Sequence, residues 1–281
     1  VAVTSSPRAP LVVLKVGGDM LLDAAERTGL ADNVRSLVDG GARVVIVHGG
    51  GPQVNALQEK VGLTPVKVAG RRVTGPADLV VVTQAICGEV NVALTALLLS
   101  VGVRAFGCHG ASARLIGATR RPPKVVSGGG PDPVDFGLVG DVSSVDGALI
   151  EGLTALGVVP VIATLGVDDH AQVLNINADT TVAAVATAIG ADLLLMITKV
   201  GGVFRDIDDK SSRIATLDRE SAAAFIASGV ISGGMIPKVE EALATLDAGV
   251  RTVAIVSALE RESFKSALSG SERAGTRFVR R

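Results

Sequence analysis

The segment Val44-Val45-Ile46-Val47-His48-Gly49-Gly50-Gly51-Pro52-Gln53-Val54-Asn55 runs from four β-branched residues directly into three glycines. A β-branched run reads as a buried strand, and tandem glycines at its exit allow the backbone itself to approach a ligand. The same design occurs upstream, where Leu11–Lys15 leads into Val16-Gly17-Gly18. Strand, glycine loop and helix in that order, used twice, points to right-handed βαβ units. The fold class expected is therefore α/β with a mainly parallel central sheet and helices on both faces.

The rest of the chain continues this rhythm. Further strands are expected at Val103–Gly107, Val158–Ala163, Leu193–Thr198 and Thr252–Val256, beside Arg43–Val47, and most are continuously apolar, as strands buried on both faces are. Helices are expected near Leu21–Val38, Pro52–Val61, Ala77–Leu99, Ser144–Leu156, Thr180–Ile189, Asp218–Ala227 and Ile236–Asp247. Gly110–Asp141 breaks the alternation with Arg120-Arg121-Pro122-Pro123 and Gly128-Gly129-Gly130-Pro131, turn chemistry suited to a hairpin excursion over the sheet. A second irregular patch, Val167–Asn175, precedes the helix near Thr180 and places a lobe boundary there, giving lobes 1–175 and 176–281. Val1–Pro10 reads as a frayed tail.

Composition narrows the function. Of 281 residues, 48 % are hydrophobic and 20 % charged, which suits a well-buried globular protein. A net charge of -1 and an aromatic content of 2 % give no stacking platform or basic tract for nucleic acid. Two cysteines without CxxC spacing, Cys87 and Cys108, suit a reduced, cytoplasmic protein. The longest apolar run reads as too short and too broken by glycine to cross a membrane. His48, His109 and His170 are scattered, so no protein-held metal is expected.

All strand carboxyl ends of a parallel sheet lie along one edge, where ligands bind. If one helix joins Leu11–Lys15 to Arg43–Val47, their glycine loops are neighbours there. Each feeds a helix whose free N–H groups favour an anion, and Lys15 stands at the first exit. The common phosphate motifs are absent: there is no GxxxxGK[ST], and Val54 breaks GxGxxG. A third glycine pair, Gly233-Gly234, precedes Pro237-Lys238, which places Lys238 in a first helical turn. Asn175 and Asp179 add a polar pair, although Asp179 taken alone reads as a helix cap. An aspartate between lysines can hold their ammonium groups without acting as a base.

The ordered set of segments resembles the amino acid kinase family: LKVGG at 14–18, VHGGGPQVN at 47–55, GRRVT at 70–74, GEVN at 88–91, GLVGDV at 137–142, NINAD at 175–179, ISGGMIPK at 231–238 and GT at 275–276. Single pieces are weak, but the ordered set is specific. The resemblance implies a three-layer αβα sandwich, with an N-terminal lobe for the amino acid and dimer contacts and a C-terminal lobe for ATP. It implies phosphorylation of the γ-carboxylate of N-acetyl-L-glutamate by ATP, with Mg²⁺ held mainly by ATP oxygens. Lys15 and Lys238 would neutralise the transferring group and Asp179 would orient both. Arg72 and Asn175 would bind the amino acid beside Gly49 and Gly50. Gly17, Gly18, Thr198, Lys199, Gly233 and Gly234 would serve the nucleotide, with the N–H of Gly50 also turned to phosphate oxygens.

Three departures accompany the resemblance. The family's Thr-Asp-Val is Thr198-Lys199-Val200 here, so Lys199 either adds a cation near the nucleotide or points to solvent. Its Ser-Gly-x-Asp is His109-Gly110-Ala111-Ser112, and its Asp-Gly-Arg near the C-terminus is Ser257-Ala258-Leu259-Glu260-Arg261. The stretch before Leu11 is also shorter than the additional helix with which arginine-inhibited members form hexamers, which implies a homodimer without that switch. Two other readings stay open: a kinase of carrier-linked aminoadipate or glutamate, faintly favoured by Arg120-Arg121 although a solvated loop explains that pair equally well, and a silent regulator that binds ATP or an amino acid.

Overall fold

The computed structural model describes residues 8–126 and 128–280, so most of the expected N-terminal tail lies outside the described residues. The first half of the chain runs Leu11–Val16 (β1), Ala24–Asp39 (α1), Arg43–His48 (β2), Gly51–Lys60 (α2), Lys67–Val68 (β3), Arg71–Arg72 (β4), Pro76–Thr83 (α3), Asn91–Ser100 (α4), Ala105–His109 (β5), Ile116–Arg120 (β6) and Val139–Val145 (β7). It continues through Gly147–Ala155 (α5), Val159–Ala163 (β8), Leu165–Val167 (β9), Val173–Ile176 (β10), Ala178–Ala188 (α6), Leu193–Ile197 (β11), Thr216–Leu217 (β12), Arg219–Ala227 (α7), Met235–Asp247 (α8), Val253–Val256 (β13), Ser263–Leu268 (α9) and Thr276–Phe278 (β14). A π-helical stretch, Gln84–Val90, joins α3 to α4 in one continuous helix.

Eight strands form one sheet in the order β12-β14-β13-β11-β1-β2-β8-β5, parallel except where β14 meets β13. Side chains alternate across it because successive residues of a strand point to opposite faces. Val12, Leu14 and Val16 pack with Leu30, Val34 and Leu37 of α1, Leu94 and Leu98 of α4, and Phe264 of α9. Leu11 and Val13 pack on the other side with Ile150 of α5, Val182 and Val185 of α6, and Val239 of α8. These two cores, one on each face, make the three-layer αβα sandwich. Asp23 starts α1 by accepting from the N–H groups of Ala25 and Glu26, as a helix N-cap does.

The irregular segments turn out to be strands. β6, β7, β9 and β10 close into a four-stranded barrel beside the main sheet. The Gly110–Asp141 excursion is the β6–β7 antiparallel pair with its long connection. Val167–Asn175, expected to be irregular, is the β9–β10 hairpin. These strands are short and rich in Gly and Ser, so they carry little periodic signal. Ser144 and Val145 likewise belong to β7, and the helix expected from Ser144 begins only after Asp146, whose side chain caps it.

The expectation that no apolar stretch is long enough for a bilayer also needs correction. Helix Pro76–Ser100, 25 residues, meets the length and composition of a membrane span. Its buried side nevertheless packs on protein through Val82, Ala85, Ile86, Leu94 and Leu98, and carries the buried polar Asn91.

Candidate functional site

β1 and β2 are adjacent and in register, so Val16 lies opposite His48 and both glycine loops open on the same sheet edge. The loops touch backbone to backbone. A Cβ on Gly18 would stand 2.7 Å from the Cα of Gly50, closer than real Cβ atoms come. The Gln53 amide donates to the Gly18 carbonyl at 2.7 Å, and Gly49 N–H donates to Val16 O at 3.2 Å.

Lys15, near the end of β1, pairs with Asp179 at 2.6 Å, and both side chains are largely shielded. Asp179 sits in the first turn of α6 because Asn177 is the cap: its side chain accepts from the N–H of Asp179 at 2.8 Å and of Thr180 at 3.3 Å. The capping role considered for Asp179 thus belongs to Asn177. That leaves the Asp179 carboxylate free to hold the lysine.

Beside this pair lies a cavity of about 220 Å³. Its floor is Gly49, Gly50 and Gly51; Arg72, Arg121, Asn175 and Ala178 are among its walls. Arg72 donates to Gln58 and Asn55, and Gln58 in turn donates to Asp78, so the guanidinium is braced from α2. Burial lowers the Arg72 pKa against a weaker opposing pull from Asp78. Asn175 donates to the Thr74 hydroxyl at 3.1 Å. Arg121, which a solvated loop would explain equally well, is buried: it donates to Asp141 at 2.6 Å and 3.0 Å and lies 5.9 Å from the Phe136 ring centroid. Sequence reasoning assigned it no site role because its partners are remote in the chain.

A larger cavity of about 680 Å³ opens between the loop after β11 and the start of α8. Gly234 and Lys238 line it, together with Val200, Phe204, Arg205 and Met235. Lys238 forms no ion pair among the described residues, so Asp179 here holds only Lys15. Gly233 has φ +54°, a left-handed conformation that suits glycine. Thr198 and Lys199 do not line this cavity. The Thr198 hydroxyl accepts from the N–H of Gly201 at 3.0 Å, and exposed Lys199 exerts its charge on Asp23 and Glu26 at the start of α1. Gly17 stands at the exit of β1, just before the short 3-10 turn Gly18–Leu21.

Glu241, one turn beyond Lys238, belongs to the same neighbourhood and has no sequence signal. Burial, aided by the negative charge of Asp179 and opposed by Lys15, pushes its pKa up to about 7. No described cluster of three or more His, Cys, Asp or Glu side chains gathers to hold a metal ion.

A sheet-edge site with paired glycine loops, a shielded Lys–Asp pair and flanking small and large cavities agrees with the family match, which spans residues 10–257: the chain belongs to the amino acid kinase family. Among similar curated proteins, an acetylglutamate kinase of Anaeromyxobacter dehalogenans is 47 % identical over 95 % of this chain and 98 % of its own. The acetylglutamate kinase of Sorangium cellulosum is 43 % identical over 91 % of this chain and 92 % of its own. Among solved structures, smu.665 of Streptococcus mutans superposes with a TM-score of 0.73 at 28 % identity, covering 96 % of this chain and 98 % of that one.

Proposed function

We propose that the chain transfers the γ-phosphoryl group of ATP to the γ-carboxylate of N-acetyl-L-glutamate, making N-acetyl-L-glutamyl 5-phosphate for arginine biosynthesis. The observation that carries this reading is the Lys15–Asp179 pair set beside a small, guanidinium-walled cavity floored by glycine backbone. High identity to acetylglutamate kinases over nearly the whole chain supports the same substrate.

The acceptor carboxylate is already ionised at neutral pH, so it attacks the γ-phosphorus without a general base. What remains for the protein is alignment and charge neutralisation. Arg72 and Asn175 hold the amino acid, and Arg121 adds a second guanidinium to the wall. Lys15, steadied by Asp179, and Lys238 from α8 offset charge on the moving phosphoryl group. Gly17, Gly18 and Gly50 turn N–H groups toward phosphate oxygens, with Gly49 beside the acceptor. ATP occupies the larger cavity, with Gly234 and Lys238 on its wall and Gly233 next to Gly234, while Thr198 and Lys199, assigned to the nucleotide from the sequence, stand outside that wall. Mg²⁺, a small hard ion, would be held mainly by the ATP phosphate oxygens and would supply further charge neutralisation there. Residues 1–175 would then form the amino-acid and dimer lobe and residues 176–281 the ATP lobe.

The second copy of a homodimer fits along β5. This strand ends the sheet with no neighbour beyond it among the described residues, and Phe106 on it is, like Val92 and Leu99 of α4, an exposed large apolar side chain. Free strand edges and exposed large apolar side chains are both features that a two-fold partner covers.

The test is to incubate the protein with Mg-ATP and free N-acetylglutamate and to trap acyl phosphate with hydroxylamine. Hydroxamate is expected. Product only with carrier-linked aminoadipate or glutamate would transfer the reading to that substrate, and none with either would make the chain a silent binder.

A further inference from the structure

We propose that His48 and Asn91 are positioning residues for phosphoryl transfer: Asn91 holds His48 in one tautomer, and His48 fixes the Gly49–Gly50 peptide so that the Gly50 N–H points into the small cavity. This rests on the kinase reading above and assigns work to two side chains which that reading leaves unused.

His48 ends β2 after four apolar residues and is fully buried at 0 % exposure, with Asn91 at 6 %. Burying polar groups is costly unless each is hydrogen-bonded. Both ring nitrogens are engaged: Nε2 lies 2.8 Å from the Asn91 amide nitrogen, and Nδ1 lies 3.0 Å from the Gly49 carbonyl. The same amide nitrogen reaches Val161 O at 2.8 Å and Cys108 O at 3.2 Å. An oxygen in its place would face two carbonyl oxygens, so the amide orientation is decided by its neighbours. Since an amide nitrogen only donates, His48 Nε2 accepts, and the ring proton sits on Nδ1, where it donates to Gly49. Burial also lowers the His48 pKa to about 4, which keeps the ring neutral. With both nitrogens committed, the ring is not available as a base.

A trans peptide is planar, with its C=O and N–H pointing in opposite directions. Gripping the Gly49 oxygen therefore also sets the direction of the Gly50 N–H. Gly50 lines the small cavity, and its N–H meets no acceptor among the described residues. The grip is anchored in the far part of the sheet, because Asn91 hangs from the carbonyls of β8 and β5. Two local features serve this arrangement. The π-helical stretch Gln84–Val90 ends immediately before Asn91, and its Ile86 and Val90 side chains close over Gly50, 3.2 and 3.1 Å from where a Cβ would stand. On β5, a Cβ at Gly107 would strike the Asn91 side-chain oxygen, so that strand is bare where the amide passes.

The test combines spectroscopy with kinetics on the full chain. Nitrogen-15 NMR of the imidazoles, with three histidines to assign, should show His48 as the neutral Nδ1–H tautomer. His48→Leu should lower kcat about 10- to 100-fold, the scale of a misaligned reacting group, while both KM values stay within about threefold. His48→Asn, whose amide nitrogen takes the place of Nδ1, should recover most of that loss. An Nε2–H tautomer in the unaltered protein overturns the proposal even if His48→Leu does not fold. So does a His48→Leu kcat within about twofold of wild type, or an Asn variant no better than Leu. Wild-type protein that yields no hydroxamate would instead sink the reaction assignment itself, a result distinct from an active wild type with an insensitive His48.

Discussion

The two glycine-bearing regions of this molecule use the residue for different reasons. At the ends of β1 and β2, glycine is demanded by the protein: Gly18 and Gly50 bring two loops into backbone contact, and Ile86 and Val90 press on Gly50 from the helix above. At the start of α8, a Cβ on Gly233 or Gly234 would meet nothing within 4 Å. The first region is a built floor. The second is open space beside a large cavity, where a bare backbone serves the approach of a ligand, and where Gly233 also adopts a left-handed turn. A glycine motif therefore does not say by itself whether the fold or the ligand requires it.

Four experiments press on that contrast. The largest effect is expected where the two regions act together: Lys15→Ala or Lys238→Ala should each lower turnover on the order of 10²-fold or more, as losing a preorganised charge does. A near-wild-type rate in steady-state assays for either variant would separate that lysine from the reaction. Next, Gly18→Ala should cost about 1–3 kcal/mol in denaturant unfolding, the range for overpacking. Gly234→Ala should leave stability within about 0.5 kcal/mol, as uncrowded substitutions do, and act instead on KM for ATP. Equal losses of stability in the two variants would break the comparison.

Arg72→Ala should raise KM for the amino acid about tenfold, near 1.4 kcal/mol, and leave that for ATP little changed. The reverse pattern would exchange the occupants of the two cavities. The smallest effect concerns Glu241, which faces Asp179 and Lys15 and stands one turn from Lys238. Its pKa is raised from 4.5 to about 7 in the folded protein. The folded state thus binds more protons than the unfolded chain between those values, and stability falls as pH rises through that window. Glu241→Gln should flatten this part of a plot of melting temperature against pH, leaving the variant more stable than wild type above pH ~7. A curve with the wild-type slope would remove Glu241 from the site's charge balance.

Much of the fold was legible. Long apolar strands alternating with helical patterns carry strong periodicity, and the six strands expected from it all lie in the central sheet within a residue or two of their observed limits. The barrel strands were not legible, since segments of three to seven residues that mix Gly, Ser, Asn and charged positions with apolar ones become strands only when partners supply hydrogen bonds. The six-residue α9, with Phe264 fully buried, is too short to show a pattern. Within the site, the neighbourhood of the two glycine loops followed from strand adjacency. Arg121 and Glu241 did not: the first depends on Asp141 across the barrel, and the second on the phase of α8 above Asp179.

The sequence alone determined the repeated strand–glycine–helix unit, the common edge on which its loops open, and the polar residue types delivered there. These are local properties of chain stiffness, periodicity and backbone freedom. Tertiary structure alone decided that Asp179 pairs with Lys15 while Asn177 caps the helix. It also decided that Arg121 is buried, and that His48 takes its tautomer from an amide 43 residues away. Hydrogen-bond direction and desolvation depend on which distant groups share a buried space, and packing alone brings those groups together.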